Sequence, residues 1–395
     1  MQLNRKITYL IGRSNIDNRP LKVFNNEACL FLTSLANSLL KDKESKKYPD
    51  IISFAYWIRS SNIIKIKERF RNLDNIGRGL VLHIVPSNVP LAFAYSFSLG
   101  LLAGNANFIK LSNNSFPQSN IVIKKIKSII KNKKFSNINK MQVFAKYNNE
   151  NNEITNELFI QCDARVIWGS DLTVNKLKTI KTSPRVVDLI FSDRYSISLI
   201  NLDSLKNISQ LNWETLINNF YVDNFYFDQN ACSSTHLVFW HGNNKRLKKK
   251  FWSKLYELTK KKYKISEYGT ISKLTKLQID KINFKKNITN LNFQNILQVV
   301  TLKKLYKNIS NLRGFHGYFY EFHLKNLNYL NKFIDPKIQT LSYFGFDKNK
   351  LKKIFIEKRF RGIDRIVPFG KALEFSENWD GHDIINTLSR NININ

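Results

Sequence analysis

Residues 77–112, GRGLVLHIVPSNVPLAFAYSFSLGLLAGNANFIKLS, decide the fold of this chain. LVLHIV at 80–85 is a short apolar run, typical of a strand that is covered on both faces. PSNVP turns the chain, and the following LAFAYSFSLGLLAG has the length and small residues of a packed helix, which Gly104 and Asn105 end. NFIKLS at 107–112 is a second strand. This order predicts a strand–helix–strand unit, the building block of a parallel sheet.

Similar patterns recur along the chain and predict an α/β fold with two domains. Residues 266–310 are rich in Lys and Asn and show no clear pattern. Further helices are predicted at 120–131, after 170 and at 249–262, and further strands at 164–170, 196–200, 235–240, 317–324, 339–345 and 362–370. The predicted boundaries are 1–205 for an N-terminal domain, 206–350 for a second domain, and 351–395 for a C-terminal segment that packs back on the core.

The composition is that of a globular protein with a strong positive charge. The chain has 395 residues, 43% of them hydrophobic, and a net charge of +33 that comes from 47 Lys and 16 Arg. Proteins that read base edges favour Arg, and their basic residues cluster on one face, whereas Lys is spread evenly here. The abundant Lys, Asn, Ile, Phe and Tyr share AT-rich codons. The sequence therefore predicts no nucleic-acid partner, although a basic surface attracts anions such as CoA or a dinucleotide.

Three cysteines without paired spacing do not form a disulfide framework. MQLNRKITYL lacks the apolar run of a signal peptide. Residues 79–104 are long enough to span a membrane, but Pro86, Asn88 and Pro90 interrupt them, which would leave polar groups unsatisfied in lipid. We therefore predict a cytoplasmic protein without a membrane span. GxGxxG, Walker A and zinc-type cysteine spacings are absent, and no metal site is predicted.

Cys232 is the candidate nucleophile. It lies in DQNACSSTHLVFW, where polar and small residues surround the sulfur before a buried strand. Such a setting suits an approachable thiol, and the thiolate form is the reactive one. Cys29 and Cys162 lie in apolar or strand-flanking segments and are predicted to be core residues.

Asn88 and the pair Gly169–Ser170 are candidate binding residues at the ends of two predicted strands. The prolines of PSNVP fix the Asn88 amide, which either stabilises a developing oxyanion or caps the next helix, and the spacing leaves both roles open. Gly169 and Ser170 begin a predicted helix, whose free N–H groups and dipole favour a phosphate.

Two histidines and a C-terminal turn receive structural interpretations. His83 within LVLHIV is predicted to be a satisfied core histidine. His236 is predicted to begin a buried strand and is not expected to act on Cys232. Residues 379–381, Trp-Asp-Gly, are predicted to form a turn that packs against the first domain.

These features resemble the aldehyde dehydrogenase superfamily, and in detail its long-chain acyl-CoA reductases of bacterial luminescence systems, the LuxC-type enzymes. The resemblance extends from about residue 50 to the C-terminus and is strongest at 77–112, 228–240, 339–345 and 361–381. It implies an aldehyde-dehydrogenase-like fold with two parallel-sheet domains. The first would be a Rossmann-like cofactor domain, and the second a catalytic domain that carries Cys232.

The family implies a role for each matching residue. Cys232 matches the acyl-accepting nucleophile, and Asn88 matches the oxyanion-hole asparagine that acts with the Cys232 backbone N–H. Lys110, with Ser112 in the adjoining turn, matches the lysine at the adenosine ribose. Gly169 and Ser170 match the pair that holds the cofactor pyrophosphate.

Departures from the wider superfamily refine these expectations. Asn113 replaces a glutamate that bonds the ribose 2′-hydroxyl, so a 2′-phosphate is not repelled and NADPH is favoured over NADH. The Leu-Glu-Leu-Gly-Gly segment that carries the water-activating base in oxidising members is absent, and residues 183–196 read SPRVVDLIFSDRYS. Its loss fits reduction of a thioester or acyl exchange with CoA, and does not fit oxidation of an aldehyde to a free acid. Glu321 is the candidate for the glutamate that holds the nicotinamide ribose.

The resemblance implies NADPH-dependent reduction of an acyl thioester to an aldehyde through a Cys232 acyl-enzyme. The donor would be acyl-CoA or an acyl-protein, with an acyltransferase or acyl-protein synthetase as partner, and the chain would form a homo-oligomer. The alternatives are a CoA-acylating aldehyde dehydrogenase for short acyl chains, an acyl reductase of surface-polysaccharide or lipid biosynthesis, and a non-catalytic scaffold.

Overall fold

The computed structural model describes residues 7–70, 74–148 and 152–393. The first six residues of MQLNRKITYL, for which the sequence predicts no signal peptide, lie outside the described residues. The strands are β1 Thr8–Ile11, β2 Asn75–Gly77, β3 Leu80–Ile84, β4 Ala106–Lys110, β5 Gln142–Lys146, β6 Ala164–Trp168, β7 Val187–Phe191, β8 Tyr195–Asn201, β9 Thr235–His241, β10 Ile288–Phe293, β11 Leu297–Leu302, β12 Tyr318–Leu324, β13 Ile338–Phe344, β14 Arg365–Pro368, β15 Asn378–Trp379, β16 His382–Asp383 and β17 Ser389–Asn391. The helices are α1 Asn26–Lys41, α2 Pro49–Trp57, α3 Ser60–Glu68, α4 Ala92–Leu102, α5 Pro117–Ile129, α6 Ser136–Lys140, α7 Asn152–Gln161, α8 Asp171–Lys178, α9 Gln210–Phe225, α10 Lys245–Lys262, α11 Glu267–Phe284, α12 Lys348–Glu357 and α13 Ile384–Thr387.

The chain forms two compact units, Met1–Ser192 with Phe375–Asn395 and Asp193–Glu374. The sequence prediction divided the chain at 205 and 350 instead. The difference at the first boundary comes from β8, which pairs with β9 and β13 in the second unit. A short buried strand has the same pattern in either sheet, so only its pairing reveals where it belongs.

The first unit contains a six-stranded sheet in the order β1-β5-β4-β3-β6-β7. The predicted strand–helix–strand unit is β3-α4-β4, with Leu80 opposite Ala106 and Ile84 opposite Lys110 in parallel register. From β3 the chain steps outward to β4 and β5, then returns to β6 on the other side of β3. This reversal is a topological switch point, where ligands bind at the carboxyl ends of strands in open α/β sheets.

Helices cover both faces of this sheet. Residues of α1 to α5 form the core on one face, while residues of α7 and α8 pack on the other. Nine of the eleven residues of α4 are buried, which explains why its sequence is apolar on nearly every side. Among the described residues, no helix combines the length and the apolar character needed to cross a membrane.

The second unit contains a seven-stranded sheet in the order β10-β11-β12-β9-β8-β13-β14. The α/β prediction is confirmed, with one correction: each large sheet is mixed, because β1 runs antiparallel to β5 and β10 antiparallel to β11. The unpatterned residues 266–310 hold α11, β10 and β11. In α11, Lys273 and Asp280 are buried while Tyr268 and Ile282 are exposed, so the usual amphipathic pattern is inverted.

Candidate active site

Asn88 lies in an exposed turn directly after the buried strand β3. The Asn114 amide donates to the Ser87 carbonyl at 3.1 Å, and the Ser119 hydroxyl donates to the Pro90 carbonyl at 2.7 Å. The N-cap of α4 is Leu91, without a side-chain cap bond. Asn88 is therefore not the helix cap, which removes one of its two interpretations.

Lys110 and Ser112 lie at the end of the neighbouring strand. Lys110 is the last residue of β4, and its ammonium is 5.1 Å from the centre of the Tyr147 ring. Burial lowers the pKa of Lys110 from its usual value. The Ser112 hydroxyl accepts the Asn114 N–H at 3.1 Å. Both residues thus share a sheet edge with the Asn88 turn.

A small, open groove lies at this edge. Val89 and Pro90 of the turn line one side, Leu111 and Ser112 line another, and Lys146 at the end of β5 contributes a charge. Its lining combines apolar side chains with the polar side chains of Ser112, Asn114 and Lys146.

Gly169 and Ser170 connect β6 to α8. The Gly169 N–H donates to the Phe191 carbonyl at 3.1 Å, and the Ser170 hydroxyl caps α8 by accepting the Thr173 N–H at 3.3 Å. A Cβ at position 169 would come within 3.1 Å of Thr173. Because Ile84 of β3 lies opposite Ile167 of β6, this junction and the Asn88 turn follow the two strands that flank the switch point.

Cys232 belongs to the second unit and lies in a turn before β9, the fourth strand of seven. The Ser234 N–H closes the turn on the Ala231 carbonyl at 2.9 Å. Cys232 is exposed, whereas Cys29 is partly buried and Cys162 is buried. Burial raises the pKa of Cys29 to about 11 and that of Cys162 to about 12. The predicted core character of these two thiols is confirmed.

Three hydrogen bonds anchor the Cys232 turn to its surroundings. The Ser196 hydroxyl donates to the Cys232 carbonyl at 2.7 Å, and the Thr235 N–H donates to the Asn224 side chain at 2.7 Å. The Ser234 hydroxyl donates to the Asp223 carbonyl at 3.1 Å. Sequence reasoning missed Asn224. The sequence feature that could have indicated it is the polar pair Asp-Asn within the apolar run FYVDNFYF, because polar side chains within such a run are expected to be buried and hydrogen-bonded.

The predicted positions of both histidines, His83 in the core and His236 at the start of a buried strand, are confirmed. His83 is buried, with Nδ1 2.7 Å from the Ser96 hydroxyl and Nε2 2.9 Å from the Asn107 side-chain oxygen. Burial lowers its pKa to about 4. His236 is buried at the start of β9 with Nδ1 2.7 Å from the Gly314 carbonyl, and burial lowers its pKa to about 3.

The assignment of Glu321 to a nicotinamide ribose is wrong. Glu321 is 2% exposed, and its Oε2 accepts the indole N–H of Trp240 and of Trp252, each at 2.8 Å. Its Oε1 accepts the Thr301 hydroxyl at 2.5 Å and lies 3.0 Å from the Lys248 ammonium. Both oxygens are occupied by the protein core, so the carboxylate is structural.

The C-terminal turn packs on the first unit, as predicted. Residues 379–381 lie in a hairpin of β15 and β16, with Trp379 opposite His382. Trp379 is buried and stacks on Phe375 at 4.9 Å. Among the described residues, no group of three or more His, Cys, Asp or Glu side chains is placed to hold a metal ion.

Solved structures define the class of fold. The chain superposes on the NADP complex of glyceraldehyde-3-phosphate dehydrogenase GapN from Methanocaldococcus jannaschii with a TM-score of 0.64, 12% identity and 98% coverage of both chains. Aldehyde dehydrogenase 21 from Physcomitrella patens gives a TM-score of 0.63 and 12% identity, over 92% of this chain and 84% of that one. The fold is that of the aldehyde dehydrogenases.

Sequence comparison then identifies the family within that fold. The family model for acyl-CoA reductase (LuxC) matches residues 59–281, more than half of the chain. This chain therefore belongs to the LuxC acyl-CoA reductase family. A long-chain acyl-protein thioester reductase from Aliivibrio fischeri is 26% identical over 168 residues, which are 42% of this chain. The match therefore covers only 33% of the length of that relative.

Proposed function

We propose that this chain reduces an acyl group, delivered as a thioester, to an aldehyde, with Cys232 as the acyl acceptor and NADPH as the reductant. The observation that carries the proposal is the exposed Cys232, held in an anchored turn in a chain of the acyl-CoA reductase family. The name of the Aliivibrio fischeri relative supports a thioester donor.

The cysteine does the covalent chemistry. The Cys232 thiolate attacks the thioester carbonyl, a new S–C bond forms, and the donor thiol leaves with a proton. Asn88 is proposed to donate to the carbonyl oxygen as it becomes negative, together with the Cys232 backbone N–H. After reduction of the carbonyl carbon, the C–S bond breaks, the aldehyde leaves and the thiolate is restored. NADPH, when bound, supplies the hydride for this reduction.

The first unit offers residues that fit a dinucleotide phosphate. Gly169 and Ser170 directly precede α8 at the switch point, where the N–H groups of the first helical turn and the helix dipole favour a pyrophosphate. Lys110 and Ser112 lie at the end of β4, which pairs with the opposite edge of β3, and would meet the adenosine ribose. Asn113 is exposed and uncharged, so it does not repel a 2′-phosphate, which favours NADPH over NADH.

Two acidic side chains, Asp188 and Asp193, lie within residues 183–196. Their contacts support reduction of an acyl-enzyme rather than its hydrolysis. Asp188 is held by Arg165, whose Nε donates to it at 2.6 Å, and Asp193 forms an ion pair with Arg313 at 3.1 Å. The guanidinium N–H groups take up acceptor positions of these carboxylates, so fewer positions remain to orient an attacking water. Water activation by this segment is therefore disfavoured, which protects an acyl-enzyme from hydrolysis.

The thioester donor is proposed to be acyl-CoA or an acyl-protein. An acyltransferase or an acyl-protein synthetase is the class of partner that would supply it. The basic character of the chain favours a donor with negative charge, such as the phosphates of CoA.

The test compares wild-type protein with Cys232→Ala. Incubation with radiolabelled acyl-CoA should label the wild type and not the variant, and aldehyde should form faster with NADPH than with NADH. Both proteins should bind NADPH equally. Cys29→Ala is the matched control and should keep its label. Wild-type levels of acyl label on Cys232→Ala would end the proposal.

A further inference from the structure

Gln229, three residues before Cys232, has a fully engaged amide in the protein interior. Its side chain is buried, and its Nε2 donates to the Thr235 carbonyl at 2.7 Å and to the Tyr318 carbonyl at 3.0 Å. Its Oε1 accepts the N–H groups of Gly317 and Tyr318, each at 3.1 Å. An amide has two N–H donors and two acceptor positions, so all four are used.

The groups that Gln229 binds are main-chain atoms at the starts of β9 and β12. These parallel strands pair from Leu237 and Tyr320 onward. Continued backward, the same register would place Thr235 opposite Tyr318, which are the residues that the Gln229 amide joins. The Gln229 side chain therefore lies between the two strands and replaces a direct backbone hydrogen bond between them. The first residues of β9 and β12 are thus separated from each other beside the Cys232 turn.

Strained backbone is concentrated at the same place. Asp228 and Gln229 have φ of 50° and 61°, and His316 and Gly317 have φ of 58° and 85°. The His316 N–H donates to the Asp228 carbonyl at 3.1 Å. This hydrogen bond joins the two segments with left-handed backbone, residues 228–229 and residues 316–317. The left-handed conformation is unfavourable for non-glycine residues, and such strain persists where surrounding contacts over-determine it.

Gln229 and Ser196 hold opposite sides of the segment that carries the thiol. Only Asn230 and Ala231 separate Gln229 from Cys232, and Ser196 binds the Cys232 carbonyl. We propose that Gln229 is a positioning residue that fixes the Cys232 turn for attack on the acyl thioester. This inference rests on the proposed role of Cys232 as acyl acceptor. Because Gln229 is buried and its amide is fully engaged, we assign it no contact with donor or cofactor.

The experiment measures acyl transfer to Cys232 in Gln229→Leu, which keeps similar bulk and removes all four bonds. The rate of acylation from acyl-CoA should fall by about tenfold or more, because small displacements of a reacting group reduce rates steeply. Alkylation of Cys232 by iodoacetamide, a small reagent without orientation needs, should stay within about threefold. Gln298→Leu is the matched control, since Gln298 is also buried in the second unit and donates to the Leu291 carbonyl at 3.2 Å.

A second variant keeps the test decisive if Gln229→Leu does not fold. In Gln229→Glu the carboxylate cannot donate, but its protonated form can, so acylation should recover relative to wild type as the pH falls. Wild-type acylation rates in Gln229→Leu, or in Gln229→Glu at every pH, would overturn the inference. Loss of acylation equal to that in Gln298→Leu would also overturn it. None of these results affects the Cys232→Ala test, which judges the proposed function separately.

Discussion

At the scale of single residues, Asp223 shows how burial sets the chemistry of a side chain near the candidate nucleophile. Its carboxylate accepts the N–H groups of Gly370 at 2.7 Å and Ala372 at 3.0 Å, while its carbonyl accepts the Ser234 hydroxyl. Burial disfavours the charged form and raises the pKa of Asp223 to about 7, even though these N–H groups act in the opposite direction.

This raised pKa predicts a specific dependence of stability on pH. An unfolded Asp has a pKa of about 4, so the folded state binds the proton more tightly. The resulting stabilisation is complete below about pH 4 and is lost as the pH rises through about 7, by at most roughly 1.4 kcal/mol per pH unit. Urea unfolding between pH 5 and 8 should show wild type losing stability relative to Asp223→Asn.

The control for this measurement is Asp347→Asn. Asp347 caps α12 by accepting the Lys350 N–H at 2.8 Å, and Asn caps helices equally well. Its unfolding free energy should follow that of wild type across the range. Parallel curves for wild type and Asp223→Asn would contradict the predicted shift.

At the scale of elements, the start of α8 is expected to serve both stability and cofactor binding. Ser170 caps α8, and Ser209 caps α9 in the same way by accepting the Asn212 N–H at 3.2 Å. Ser170→Ala and Ser209→Ala should each lose about 1 kcal/mol of unfolding free energy. Only Ser170→Ala should raise the KM for NADPH, because only α8 starts at the switch point. Equal KM values in the two variants would argue against a phosphate at α8.

At the scale of the whole molecule, the C-terminal residues complete the first unit. Ile384, Ile385 and Leu388 are buried in the core that contains α4, and the Leu388 carbonyl accepts the Asn105 side-chain amide at 2.8 Å. In β17, Ser389 pairs with Gly77 of β2. The first unit is therefore built from both ends of the chain.

Truncation after Glu374 should weaken the first unit selectively. Each apolar side chain that loses its burial costs about 1.5–3 kcal/mol, so amide hydrogen exchange in α4 should accelerate strongly. Exchange in β9, which belongs to the second unit, should change little. A chain that ends at Asn391 keeps β17 and should exchange like the full-length protein. Equal acceleration in α4 and β9 would show that the truncation acts on the whole chain.

The sequence alone determined the parts of this protein whose information is local. β3, the PSNVP turn, α4 and β4 follow from apolar runs, two prolines and the Gly104-Asn105 ending, because each signal lies within the element it specifies. The polar setting of Cys232 and the apolar setting of Cys162 likewise predicted which thiol is exposed. The motifs were also sufficient to predict the family, since they are long and contiguous.

Tertiary structure alone decided the features whose partners are far apart in the chain. The sequence did not show that the Glu321 carboxylate is unable to bind a cofactor. Trp240 and Trp252, whose indole N–H groups donate to it, lie 81 and 69 residues away in the chain. Gln229 gave no signal, since its partner Tyr318 is 89 residues distant. β8 joined the second sheet for the same reason. A hydrogen bond or a strand pairing between segments that are distant in sequence depends on the tertiary fold that brings them together. A local pattern of residues does not specify that arrangement.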